Sequence, residues 1–145
     1  MKSKPFIIGF VVVVLAIAAV SLYFSSTVER ASKSLVAVVS PDGKFKAVKL
    51  TIARGGVSPF CYDNIVVLLT VYPDDFDENR KAYEVYAAPC GRFFDGTSSP
   101  KIEWLSNTSL QITVAPRSPS ADAKAVRKKN IDISKSVHVT FVERP

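Results

Sequence analysis

The sequence predicts an N-terminal transmembrane helix followed by an all-β domain, antiparallel and either sandwich-like or a curled sheet, with at most one short helix. Three observations carry this reading. Residues 6–24, FIIGFVVVVLAIAAVSLYF, run nineteen long without a charge. Beyond residue 35 almost every apolar pattern has the two-residue period of strands rather than the roughly 3.6 of helices. Clusters of Pro, Gly, Asp and Asn punctuate these runs at short intervals, as tight turns require.

At a rise of about 1.5 Å per residue, a helix over 6–24 comes close to the roughly 30 Å hydrocarbon core of a bilayer. Lipid offers the backbone no other hydrogen-bond partner, so a Val- and Ile-rich run becomes helical there despite its modest propensity in water. Lys2 and Lys4 form a positive flank over 1–5, and Pro5 suits a first helical turn. Leu22, Tyr23 and Phe24 close the far end at headgroup level. The competing reading is a cleaved signal peptide, with Ala19-Val20-Ser21 offering small residues to a peptidase. The apolar run continues past that cut, which favours a retained signal anchor. No cysteine follows the run closely enough for a lipoprotein.

Flanking charge barely sets orientation, with Lys2 and Lys4 before the span against Arg30 and Lys33 after it. A C-terminal domain is translocated largely regardless of charge, and the cysteines suit an oxidising compartment. The expected arrangement is a cytoplasmic N-terminus, a linker over 25–34 and an exported β-rich domain over 35–145.

About 120 residues remain after the span, enough for one domain with a real core. The net charge of +6 is uneven. Between residues 25 and 115, ten basic and ten acidic residues cancel, whereas 116–135 alone carries +4. Cys61 and Cys90 are the only cysteines, and both lie in the exported part. A bridge between them is expected, stabilising by roughly 3–4 kcal/mol in the chain-entropy model. Two buried thiols are the alternative. Two cysteines and one distant histidine do not supply four metal ligands.

Along the domain, 35–39 reads as a short strand ended by Ser40-Pro41-Asp42-Gly43, where Pro presets φ and Gly tolerates positive φ. Residues 45–52 form the next strand, and a change of phase between Ala47 and Val48 hints at a bulge. Residues 62–72, apolar on both faces, read as a central strand, and 73–79 as an acidic turn. A strand over 82–88 sets Tyr83, Val85 and Ala87 on one side. Residues 90–100 form a loop with two glycines. Ile102 and Trp104 then face Leu110, Ile112 and Val114 across a hairpin with a four-residue connection, 106–109. Residues 121–129 are the helical candidate outside the membrane, capped by Ser120, and 137–141 is a last strand.

The SPDGKFKAV turn-and-strand, the apolar central strand and the WLSNTSLQI hairpin together resemble a group of small, uncharacterised single-pass bacterial envelope proteins. The resemblance covers most of the exported part. It implies an envelope location and no activity; with the apolar span and its orientation, the expectation is a bacterial inner-membrane protein with the domain periplasmic or extracellular. Similar elements recur in β-propeller blades, but a propeller needs at least four blades of about 40 residues, which this length excludes.

No catalytic motif is present, no catalytic residues are expected, and neither a metal nor another cofactor is called for. His138, the sole histidine, alternates with Val137 and Val139 as a surface-facing strand residue. Asp74, Asp75, Asp77 and Glu78 lack calcium-loop spacing and read as a solvated turn. The basic segment, Arg117, Lys124, Arg127, Lys128 and Lys129, could meet anionic lipid or an acidic partner. It has no interleaved aromatics for nucleic acid. Asn107-Thr108-Ser109 matches a glycosylation sequon, which matters only in a eukaryote. Arg92, Phe93, Phe94 and Asp95 follow Cys90 directly. Two adjacent aromatics in a pinned loop suit either an interface or a loop folded back on the core. The expectation is an exported domain that binds a protein partner, one form being an inhibitor of a secreted toxin. Alternatives are an assembly subunit of a membrane complex and a binder of anionic envelope lipid. A small-molecule substrate is not expected.

Overall fold

The computed structural model describes residues 13–18, 31–56, 59–75, 80–116 and 126–145. Of the expected span at 6–24, residues 13–18 are helical, and the rest lies outside the described residues with the flank at 1–5 and linker residues 25–30. Among the described residues no helix is long and apolar enough to cross a membrane. The chain divides into two compact units, Met1–Arg30 and Ala31–Pro145. The second is mostly β-sheet.

Strands β1 (Ser32–Val39) and β2 (Phe45–Arg54) form an antiparallel hairpin in unbroken register from Ser32 opposite Ala53 to Val39 opposite Lys46. The turn works through its side chains. Gly43 adopts φ 73° and its N–H donates to Ser40 O at 2.9 Å, while the Ser40 hydroxyl donates to Asp42 at 2.7 Å and accepts from Phe45 N–H at 3.0 Å. The Ser40 hydroxyl and the Lys44 amide hold the Asp42 carboxyl below its ordinary pKa. β1 begins at Ser32, three residues inside the expected linker.

β3 (Phe60–Leu69) lies between β2 and β4 (Glu84–Pro89), and with β9 (Arg127–Lys128) the five-stranded sheet runs β1-β2-β3-β4-β9. The long apolar run is thus a central strand, as its two apolar faces predict. It ends at Leu69 rather than residue 72 because the chain turns there, Tyr72 N–H donating to Leu69 O at 3.1 Å. Tyr72 and Tyr83 then pack over the outer face of the sheet, on buried Val48, Val66 and Leu68, with ring centroids 6.4 Å apart. This explains a correction. β2 carries no bulge at Ala47–Val48, since both its ladders run regularly there. The phase change marks burial on two faces. The irregularity falls instead at Ile65–Val66, between β3 and β4. Tyr83 belongs to a helical turn, Arg80–Tyr83, not to the strand expected from residue 82.

The second layer is a three-stranded sheet in the order β10 (His138–Glu143), β8 (Ser109–Val114), β7 (Lys101–Ser106). β7 and β8 make the expected hairpin, Ile102 opposite Ile112 and Trp104 opposite Leu110, closed by Asn107 and Thr108 alone. β10 pairs with β8 in parallel, which corrects the purely antiparallel expectation. Parallel neighbours need a crossover. The chain provides one by leaving β8, adding β9 (Arg127–Lys128) beside β4, and returning. Arg127 and Lys128 are therefore strand, not helix, and residues 121–125 of the expected helix lie outside the described residues. Ladder pairing and the buried partner of Arg127 outweigh a weak local helix preference.

The core lies between the layers. Phe45, Ala47, Ile65, Val67, Tyr86 and Ala88 of the larger sheet meet Leu110, Ile112, Val114, Val137 and Val139. Trp104 closes one side by donating its indole N–H to Val38 O at 2.8 Å.

Candidate functional site

The expected disulfide is present. Cys61 and Cys90 are bonded with Cα atoms 5.3 Å apart, and Cys90 N–H donates to Cys61 O at 3.1 Å. The bridge thus joins neighbouring segments of the one chain at the end of the β3–β4 ladder, where pairing would otherwise fray. From there the chain makes a small hairpin, β5 (Gly91–Arg92) against β6 (Ser98–Ser99). Its tip is closed by Phe93 N–H to Thr97 O and Gly96 N–H to Phe93 O, both 2.9 Å, with Gly96 at φ 80°.

Asp95 holds that tip. It accepts from the Thr97 hydroxyl at 2.6 Å and the Thr97 amide at 2.8 Å. The hydroxyl first, and then the amide, keep its carboxyl below the usual 3.8. Lys101 lies 3.9 Å from Asp95 and 4.8 Å above the Phe93 ring. The two aromatics are split. Phe93 is 7% exposed and folds back, whereas Phe94 is 85% exposed at the tip. The four candidate partner-binding residues therefore divide between packing (Phe93), turn closure (Asp95) and open surface (Arg92, Phe94).

Beside this loop runs a groove of about 740 Å³ between the layers, lined by Val36, Val38, Lys49, Phe93, Pro100 and Ile102 among others. Lys49 of β2 donates to Pro100 O, just before β7 of the other layer, at 3.3 Å. Six of its lining residues are apolar and nine are polar or charged, among them Lys49, Asp95, Lys101, Glu103 and Arg144.

The basic segment is differently built. Glu84, only 4% exposed, accepts from Arg127 Nε at 2.6 Å and from a second guanidinium nitrogen at 3.0 Å. Asn64 Nδ2 also donates to Glu84. The Glu84 hydrogen bond raises the Arg127 pKa further. Lys128 lies 3.4 Å from Glu143 and 5.5 Å from the Phe141 ring centroid, and Lys129 reaches Lys81 O at 3.5 Å. Arg117 and Lys124 lie outside the described residues. The described basic side chains of this segment thus each meet an internal partner, with Arg127 and Lys128 themselves exposed.

Sequence reasoning missed three polar devices. Lys46, nearly buried, donates to Asp74 and to Tyr72 O, both at 2.5 Å, so one carboxylate of the acidic turn fastens the outer-face segment. Asp77 and Glu78 of that turn lie outside the described residues. Buried Asp63 accepts from Thr51 at 2.5 Å. Asp132 gathers the amides of Ser134, Ser136 and Val137 at 2.7–2.9 Å to close the turn into β10. The Asp-x-Ser-x-Ser spacing at 132–136 was the available signal for that last one. His138 is exposed on its strand.

No protein-family model, curated protein or solved structure matches this chain.

Proposed function

We propose that the chain is a single-pass bacterial inner-membrane protein, anchored through residues 6–24, whose domain on the periplasmic or extracellular side binds a protein partner at the Phe94 loop and its groove. The observation that carries this reading is the exposure of Phe94 on a loop restrained at both ends. The Cys61–Cys90 bridge holds its root, and Asp95 with Thr97 holds its tip. A large aromatic held out in water by a pre-ordered loop gains apolar burial on contact at little cost in loop entropy. The bridge supports an oxidising location, and nineteen uncharged residues support the anchor. An inhibitor of a secreted toxin is one form such a binder takes. Binding of anionic lipid through the basic segment is less favoured, because Arg127 and Lys128 already face carboxylates.

A photo-crosslinker placed at position 94 of the full chain in its native membrane tests this directly. A discrete protein adduct is expected at position 94 and not with the same group at Thr140, an exposed residue of β10. Equal adducts at both positions, or none at 94, would contradict the reading.

A further inference from the structure

β1 is an edge strand in a state that edge strands rarely keep. Among the described residues it pairs only with β2, and seven of its eight residues are exposed. Leu35 is 41%, and Val36 and Val39 are each 52%, open to solvent. Proteins guard such edges with proline, bulges, interspersed charge or a covering segment. β1 has no proline, its register is unbroken, and its sole charge is Lys33 near one end.

The ladder fixes which backbone groups are free to pair. Ser40 N–H donates to Phe45 O at 2.8 Å. Alternation along an antiparallel pair then turns the amides and carbonyls of Ser32, Ser34, Val36 and Val38 toward β2. Those of Lys33, Leu35, Ala37 and Val39 point outward.

We infer that β1 is a homodimer edge, at which two copies of this chain pair antiparallel about a two-fold axis through Val36. The partner is identified by self-complementarity. An isologous strand pair must match outward residues with outward residues, and the axis at Val36 uses all four. Lys33 then lies opposite Val39 of the second copy and Leu35 opposite Ala37, which allows about eight hydrogen bonds. The two Lys33 ammonium groups stay at opposite ends, so no like charges meet across the pair. A partner with a charged or proline-bearing strand would fit this apolar edge less well. Val36 also lines the groove, so the pairing would bring two grooves together at the axis. A strand pair of this length lies below the standard interface size, so micromolar dissociation is expected. This inference is independent of the partner reading above.

Two substitutions in the full chain, in detergent, test it. Across the axis, the residue 36 positions form a non-hydrogen-bonded pair with Cα atoms about 4.5 Å apart, within disulfide reach. Val36→Cys should give an oxidised dimer whose bridge maps to position 36 in both chains. Val39→Cys, on the same strand but about 20 Å from its copy in this register, should give at least tenfold less. Ala37→Pro deletes an outward N–H while sparing the bonds to β2, and edge strands tolerate proline. It should weaken dimerisation at least tenfold with the circular dichroism unchanged. Equal bridging at 36 and 39, or a chain that never bridges at 36, overturns the inference. The latter result holds even if some other protein's strand covers β1. If Ala37→Pro fails to fold, the two cysteine variants decide alone.

Discussion

The Phe94 loop and the basic segment were both candidate surfaces, and the structure treats their prominent side chains in opposite ways. In the loop, polar groups are used to hold the backbone, and the largest apolar side chain is left in water. In the segment around β9, the charged side chains themselves are used, drawn to Glu84, Glu143 and a backbone carbonyl. A side chain committed to an internal partner must be released before it can bind another. The proposed reading therefore gives the uncompensated aromatic more weight than the local positive charge.

That contrast can be broken in several places. The largest effect is expected from Arg127→Ala. It leaves Glu84 buried with Asn64 as its remaining described donor, at a cost of about 2–3 kcal/mol in urea unfolding of the full chain. A change below half a kcal/mol would mean that Arg127 is free for a partner after all. Within the loop, Phe93→Ala should cost about 2 kcal/mol through lost packing and the lost contact with Lys101. Phe94→Ala should stay within about 0.5 kcal/mol of the parent. Equal costs at both positions would erase the distinction between packing and surface.

A smaller effect is expected with pH. Because the Asp95 pKa is depressed in the folded loop, its contribution is present above the ordinary 3.8 and is lost as pH falls through the lower folded value. Amide exchange at Thr97 should accelerate, after allowing for its intrinsic pH dependence, as the medium is acidified below 3.8. Protection of Thr97 unchanged across that window would show that the carboxylate does not hold the tip.

Much of the β architecture was legible because burial leaves a period in the sequence. The 102–114 hairpin, the 40–43 turn, the central strand and the cysteine pair all have local signatures. The misreadings have two causes. Where a strand is covered on both faces, as at Val48, alternation stops reporting orientation. The parallel placement of β10 and the strand identity of Arg127 and Lys128 depend on a crossover through residues far apart in sequence. The candidate site was half legible. Adjacency places Arg92, Phe93, Phe94 and Asp95 in one loop, but nothing in Phe93-Phe94 tells which ring turns inward. That is decided by Lys101 and the groove beside it.

The central claim is that the loop, and not the basic segment, holds the partner. The most direct measurement is retention of the protein crosslinked at position 94 by three full-length chains, the parent, Phe94→Ala, and Lys128→Ala with Lys129→Ala, over a series of salt concentrations. Contact through an aromatic is nearly indifferent to salt, whereas attraction between exposed charges is screened beyond about 10 Å at 0.1 M. The account predicts that Phe94→Ala loses the partner at every salt concentration, while the double lysine variant retains it as the parent does. Release of the partner by salt, with Phe94→Ala binding normally, would contradict it.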